Sequence, residues 1–290
     1  MHIPVYGEEH TFLDKETGLL YRNSSFRETA SLHTHNFFEF FIVVDGTALH
    51  MVNGTIATLA RGDLVFIRPQ DTHTYEFYYS EDFRIINVGF SRSLFQEIRR
   101  FLNKDGEMRR LTNAPLPPCV RTEPGAGRDL IRAFKSIGAR IKGGNPQHTT
   151  LHAQCYLASV FADYFFCYAG REQEGGRQPV WFDKLLLEMD KIENLQEGLP
   201  RMLELAACSQ NHLCRVFQET LATTPTAYIN DKRLEYAVYF LTQSGDEILE
   251  ISERCGFHNL SHFYHLFQRK YQSSPAKFRR QQTTRKEKNR

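Results

Sequence analysis

Between residues 31 and 90 the apolar positions fall in short runs of aromatic and β-branched side chains separated by turn residues. The run Phe-Phe-Glu-Phe-Phe-Ile-Val-Val at 37–44 ends at Asp45-Gly46, and residues 48–52 connect to 55–59 through Asn53-Gly54. Arg61-Gly62-Asp63 precedes 64–67, Pro69 interrupts the pattern, and further runs occupy 75–79 and 84–90. Asn-Gly and Gly-Asp turns at this spacing predict short antiparallel strands closing into a small barrel or sandwich.

From about residue 91 the period becomes helical. Leu94, Ile98, Phe101 and Leu102 share one spacing, and Leu130, Phe134, Ile137 and Ile141 repeat it. Pro and Gly mark 114–119 and 123–127 as loops. Residues 152–168 are apolar on more than one side, so this helix and the one at 94–102 are expected to bury surface against a second copy. The polar, Gly-containing stretch 171–179 reads as a linker. It divides the chain into residues 1–175, an antiparallel β-barrel with flanking helices that is expected to dimerise, and 176–290, all helical with a basic tail.

The helical part repeats itself at an offset of 50. His212, Phe217, Gln218 and Pro225 fall on His262, Phe267, Gln268 and Pro275. In each copy a short helix (200–207; 247–255) leads to a capping residue, Ser209 or Asn259. A second helix follows, and then Thr224-Pro225 or Ser274-Pro275 starts another helix with an N-cap and a first-turn proline. Short helix, tight turn and second helix is the helix-turn-helix arrangement, whose second helix fits a DNA major groove. Leu213, Val216 and Phe217 share one face, as do Phe263, Leu266 and Phe267, and must be core. Ser209, Gln210, Asn211, Cys214 and Arg215 are then left for DNA in the first unit, and Asn259, Leu260, Ser261, Tyr264 and His265 in the second. Gln, Asn and Arg pair bidentately with base edges.

The pattern Leu213-x-Arg215-x-Phe217 with Thr224-Pro225-x-x-Tyr228, then Gly256-Phe257-x5-Phe263-x3-Phe267 with Ser274-Pro275-x-x-Phe278-Arg279, resembles the AraC-type transcriptional regulators. That resemblance implies two helix-turn-helix units joined by a long helix from Pro225 to about Leu241. Ala222 and Gln272 stand where the family usually places glycine, and His265 where it commonly has an arginine facing DNA. The barrel residues, Arg61-Gly62-Asp63-Leu64-Val65-Phe66-Ile67 among them, resemble the subgroup containing the chitobiose-operon regulator, which implies a sugar or sugar-phosphate effector.

His33-x-His35-x3-Glu39-x6-Gly46 is similar to the first motif of the cupin barrels, and Gly62-Asp63 with Pro69-x3-His73 to the second. Asp71 stands near the usual glycine, and the spacing to His73 is one residue short. Residues 33, 35, 37 and 39 of one strand would share a face. With His73 they offer three imidazoles and a carboxylate to one divalent ion (zinc, nickel, iron or manganese). Binding would weaken as pH falls through the histidine range near 6.5. Phe37, Phe41 and Tyr75 are expected to face an organic effector, as are Phe77 and Tyr79.

Charge sharpens this division. Residues 261–290 carry nine Lys/Arg and one Glu, a local +8, whereas the other 260 residues carry 27 basic and 33 acidic groups, a balance of −6. A basic end on an acidic body suits a phosphate-bearing partner, here an operator duplex. At 41% hydrophobic and 24% charged residues the chain is ordinary globular material. Its longest apolar stretch, 157–169, is broken by Asp163 and too short to span a bilayer, so no membrane role is expected. Six scattered cysteines and no secretory signal point to the cytoplasm. The expected function is a DNA-binding regulator answering to a small molecule, and not an enzyme. The alternative is a metal-dependent cupin isomerase or dioxygenase with a helical appendage, for which the duplicated motif would have no use.

Overall fold

The computed structural model describes residues 4–7, 16–25, 32–77, 83–166 and 180–288. The linker at 171–179, the proposed boundary within it, Tyr79 and Cys167 lie outside the described residues. The chain forms two compact units, one of residues 1–53 and 57–174 and one of 175–290 with 54–56.

The first unit holds strands β1 (Val5–Tyr6), β2 (Leu19–Ser25), β3 (His33–His35), β4 (Phe38–Asp45), β5 (Thr47–Val52), β6 (Thr55–Ala60), β7 (Asp63–Ile67), β8 (Thr72–Phe77), β9 (Arg84–Phe90) and β10 (Cys119–Arg121). They form two five-stranded sheets, β1-β3-β8-β5-β6 and β10-β7-β4-β9-β2. Pairing is antiparallel apart from the short β1–β3 contact. The β5–β6 hairpin turns on Asn53 and Gly54, both at positive φ (50° and 79°), as the Asn-Gly pair predicts.

Side-chain alternation in β4 decides where the core lies. Phe38, Phe40 and Ile42 pack outward into a cluster with Leu94, Ile98, Phe134, Leu157 and Phe161. Phe41 and Val43 pack inward with Val65, Ile67, Tyr75 and Ile85, from both sheets. Helices α1 (Arg92–Leu102), α2 (Asp105–Asn113), α3 (Pro124–Gly143) and α4 (Pro146–Val160), with a wider π-type turn at Phe161–Phe166, cover the outer face of the second sheet.

Three sequence expectations change here. Residues 124–127 are not loop: Pro124 takes the first helical position of α3, where its missing N–H is no loss, and Gly127 is buried where a Cβ would meet Thr122 Oγ1 at 2.7 Å. The helices at 94–102 and 146–160 bury their apolar residues within their own unit, which removes most of the surface reserved for a second copy. Phe101 and Leu151 stay exposed, at 67% and 59%. Residues 33–39 are also not one strand, because the chain leaves the first sheet after His35, bends at Asn36 and Phe37, and enters the second at Phe38.

The second unit is helical: α5 (Val180–Met189), α6 (Ile192–Glu197), α7 (Leu199–Ala206), α8 (Gln210–Leu221), α9 (Pro225–Gln243), α10 (Ile248–Arg254), α11 (Leu260–Tyr271) and α12 (Pro275–Lys288). Among the described residues no helix is long and apolar enough to cross a membrane.

Candidate functional site

Two surfaces concentrate polar chemistry, one inside the barrel and one on the helices. In the barrel, register brings the histidines together. His33 pairs across from His73, and His50 across from Tyr75. His33, His35 and His73 are buried and offer ligand atoms that all lie within 4.8 Å of one another. The His35 ring stacks on Phe37 (4.1 Å, 11°), and its Nδ1 donates to the Phe37 carbonyl at 2.8 Å. That bond fixes the tautomer and leaves Nε2 as the lone pair facing inward. Glu39, entering from the other sheet, stands with Oε2 3.9 Å from His35 Nε2 while Asn87 Nδ2 donates to Oε1 at 2.7 Å. The donor set is therefore three imidazoles with a carboxylate at its edge, reached by a bend between two sheets and not by one strand face.

Burial sets the charge state. It pushes His35 down to about 4 and His50 to about 3, and holds His73 well below the usual histidine range. The Glu39 carboxyl is pushed up to about 7 by the same desolvation, against the Asn87 hydrogen bond. His35, His50 and His73 thus stay neutral far below the pH of 6.5 at which the sequence places proton competition for a metal. Several buried polar atoms have no hydrogen-bond partner: His35 Nε2, His50 Nε2, both nitrogens of His73, Tyr75 Oη and Asn87 Oδ1. Buried polar groups are rarely left so. The neutral, unsatisfied nitrogens of His35 and His73, with His33 close beside them, suit a transition metal.

His50 and Asn87 were not among the sequence candidates. A lone histidine in the run Ala-Leu-His-Met-Val could have been noticed as an inward polar position alternating between Ala48 and Val52. The odd Asp71 also finds its reason here. Arg68 Nε and Nη2 donate to its carboxylate at 2.8 Å, and Arg68 Nη1 donates to the Leu111 and Ala114 carbonyls at 3.0 and 2.6 Å. This buried pair ties the β7–β8 turn to the end of α2. Phe37 and Phe41 are buried, and Phe41 stands edge-on to both His50 and Tyr75.

On the helical unit the duplicated pattern becomes two matching scaffolds. Ser209 Oγ accepts from His212 N at 3.3 Å, and Asn259 Oδ1 accepts from His262 N at 2.9 Å. Thr224 Oγ1 and Ser274 Oγ cap the following helices through Ala227 N (3.2 Å) and Lys277 N (3.3 Å). Leu213, Val216, Phe217, Phe263, Leu266 and Phe267 are buried. Ser209, Gln210, Asn211, Cys214 and Arg215 are exposed, as are Asn259, Leu260, Ser261 and His265, with Tyr264 half-buried. Ala222 and Gln272 close their helices at φ 50° and 49°, the left-handed geometry that glycine adopts more easily.

Helix α9 braces both scaffolds. Its Lys232 pairs with Asp190 at 2.8 Å and its Glu235 with Lys270 of α11 at 3.7 Å. Arg233 donates to the Leu195 and Gln196 carbonyls (2.8 and 3.1 Å) and lies over the Phe257 ring.

The family described as AraC-like ligand binding domain matches residues 20–137, and the family described as helix-turn-helix domain matches 202–281. The HTH-type transcriptional activator RhaS of Yersinia pestis (strain Pestoides F) is 27% identical over 255 residues, covering 86% of this chain and 89% of RhaS. The RhaS of Yersinia pseudotuberculosis serotype O:1b aligns equally. Among solved structures, ToxT from Vibrio cholerae covers 90% of this chain and 97% of its own, with a TM-score of 0.32 at 12% identity. The DNA-binding domain of AdpA in complex with a target DNA covers 36% of this chain and 93% of its own, with a TM-score of 0.33 at 24% identity.

Proposed function

The chain belongs to the AraC-type transcriptional regulators, and from that premise we propose which residues read the operator and what the barrel receives. It is a regulator and not an enzyme: a helix-turn-helix part for DNA and a ligand-binding part for an effector. On our reading residues 176–290 bind DNA and 1–175 take the effector and dimerise. Gln210, Asn211 and Arg215 reach base edges from α8, while Ser261, Tyr264 and His265 do so from α11. The observation that carries this is the pair of capped helices with buried apolar triads and exposed polar faces, repeated at an offset of 50. Selection of bound duplexes from a random library tests it. Two enriched blocks about one helical turn (~34–36 Å) apart are expected. A single block, or none, would remove the two-helix assignment.

His33, His35 and His73, with Glu39 at their edge, would hold one divalent transition metal, each histidine through one neutral nitrogen. The effector is a saccharide, in line with the resemblance to the chitobiose-operon subgroup, and Phe37, Phe41 and Tyr75 supply its apolar wall. The regulator works in the cytoplasm as a homodimer, for which the exposed Phe101 and Leu151 remain available. Elemental analysis after dialysis against zinc, nickel and manganese tests the metal; a substoichiometric wild type ends that reading. Sedimentation of the full chain at micromolar concentration tests the dimer.

A further inference from the structure

We propose that His212 is a positioning residue for operator reading: its ring, braced by Trp181, holds the Arg215 guanidinium ready for a guanine. This rests on the reading above that Arg215 meets a base edge. The two side chains lie three residues apart on α8, with 3.1 Å between Arg215 Nη2 and His212 Nδ1. A guanidinium has five N–H donors and no acceptor, so Arg215 donates and His212 Nδ1 must be the lone pair. The imidazole proton therefore sits on Nε2.

The ring has a second anchor. Trp181, in the first turn of α5, lies 5.9 Å from it at a 38° tilt. Helix α5 is itself fixed on α8, because its fully buried Phe182 stands edge-on to Phe217 at 4.9 Å. The His212 backbone N–H donates to the Ser209 cap. Backbone, ring face and Nδ1 of one half-buried residue are thus each committed, and Nδ1 is committed to an exposed arginine. A loose arginine loses the freedom of several bonds when it meets a base; one already held loses less. Of its five N–H groups one is spent on His212. The remaining four still cover the two acceptors, O6 and N7, that guanine offers in the major groove.

The second motif supplies an internal control. His262 occupies the position matching His212, and Phe257 lies 6.4 Å from its ring, but the residue three further on is His265 where the first motif has Arg215. The braced ring is repeated and the arginine is not. A ring needed only for packing would matter equally at both positions, whereas one that aims an arginine matters at His212 alone.

The test measures affinity of the full chain for a selected operator and a scrambled duplex at fixed salt, in wild-type and Arg215→Ala backgrounds. His212→Phe keeps a ring against Trp181 and removes the acceptor. It should weaken operator binding by about 2–10-fold, the range for releasing one ordered side chain, and leave the scrambled duplex unchanged. In the Arg215→Ala background the same change should have no further effect. His212→Asn, whose amide oxygen can stand near the place of Nδ1, should recover most of the loss. Trp181→Ala should show a smaller loss, again confined to chains that carry Arg215. His262→Phe should stay within about 2-fold of wild type. A loss of equal size with and without Arg215, no loss for His212→Phe, no recovery by His212→Asn, or an equal loss for His262→Phe would each overturn the proposal. Arg215→Ala alone decides the reading beneath it. If that variant binds the operator as wild type does, the base-reading assignment fails and the proposal with it; a loss there with none for His212→Phe removes the proposal only.

Discussion

Leu213, Val216 and Phe217 of the first motif are buried just as Phe263, Leu266 and Phe267 are in the second, yet Gln210, Asn211 and Arg215 have Leu260, Ser261 and His265 at the matching outward positions. The positions that fill the core are apolar in both motifs, whereas the outward ones are Gln, Asn and Arg in the first and Leu, Ser and His in the second. The turns differ too. The first motif passes from α7 to α8 through Ala207 at φ 47°, whereas the second uses Gly256 at φ 83° in a longer connection. A duplicated scaffold thus tolerates change wherever packing does not decide, so the two helices need not contribute equally to operator choice.

The most damaging break of this symmetry should come at Gly256. A Cβ there would lie 2.8 Å from the Gln196 Cα, a backbone atom that cannot swing aside, and the positive φ adds strain. Gly256→Ala should cost at least about 1–3 kcal/mol by denaturant unfolding. Ala207→Gly in the first turn should cost nothing or stabilise slightly; equal penalties at both sites would mean the turns are equivalent after all. Next come the caps. Ser209→Ala and Asn259→Ala each remove an acceptor from an orphan backbone N–H and should cost about 1 kcal/mol, comparably in the two motifs. A cap that proves silent would leave its helix start held by packing alone. The smallest effect has the opposite sign. Ala222→Gly and Gln272→Gly relieve left-handed residues at the ends of α8 and α11 and should each stabilise by up to about 1 kcal/mol, read as a raised urea midpoint at unchanged slope.

The duplicated motif was legible because caps, first-turn prolines and buried triads are local, and each acts within a few residues of chain. The Asn53-Gly54 turn was legible for the same reason. The barrel interior was less so. His33, His35 and His73 could be paired by motif, but the bend at Asn36 and Phe37 depends on which sheet each strand joins, a long-range choice the alternation does not encode. His50 and Asn87 enter only through cross-strand register with Tyr75 and Phe41. Helix α2 escaped because Asp105–Asn113 offers just Met108 and Leu111 to the core. The apolar surplus on α1 and α4 was overestimated because the outer face of the second sheet is itself aromatic and absorbs it.

Operator binding by Arg215→Ala set beside His265→Ala, on a selected duplex and a scrambled one at fixed salt, decides whether the first motif reads base edges more strongly than the second. Arg215 is exposed on α8, steadied by a 3.1 Å contact between its Nη2 and His212 Nδ1, and would meet a base edge. Arg215→Ala should lose about 1–3 kcal/mol on the operator with little change on the scrambled duplex, and His265→Ala should lose less. Equal losses on both duplexes, or none on the operator, would contradict this reading.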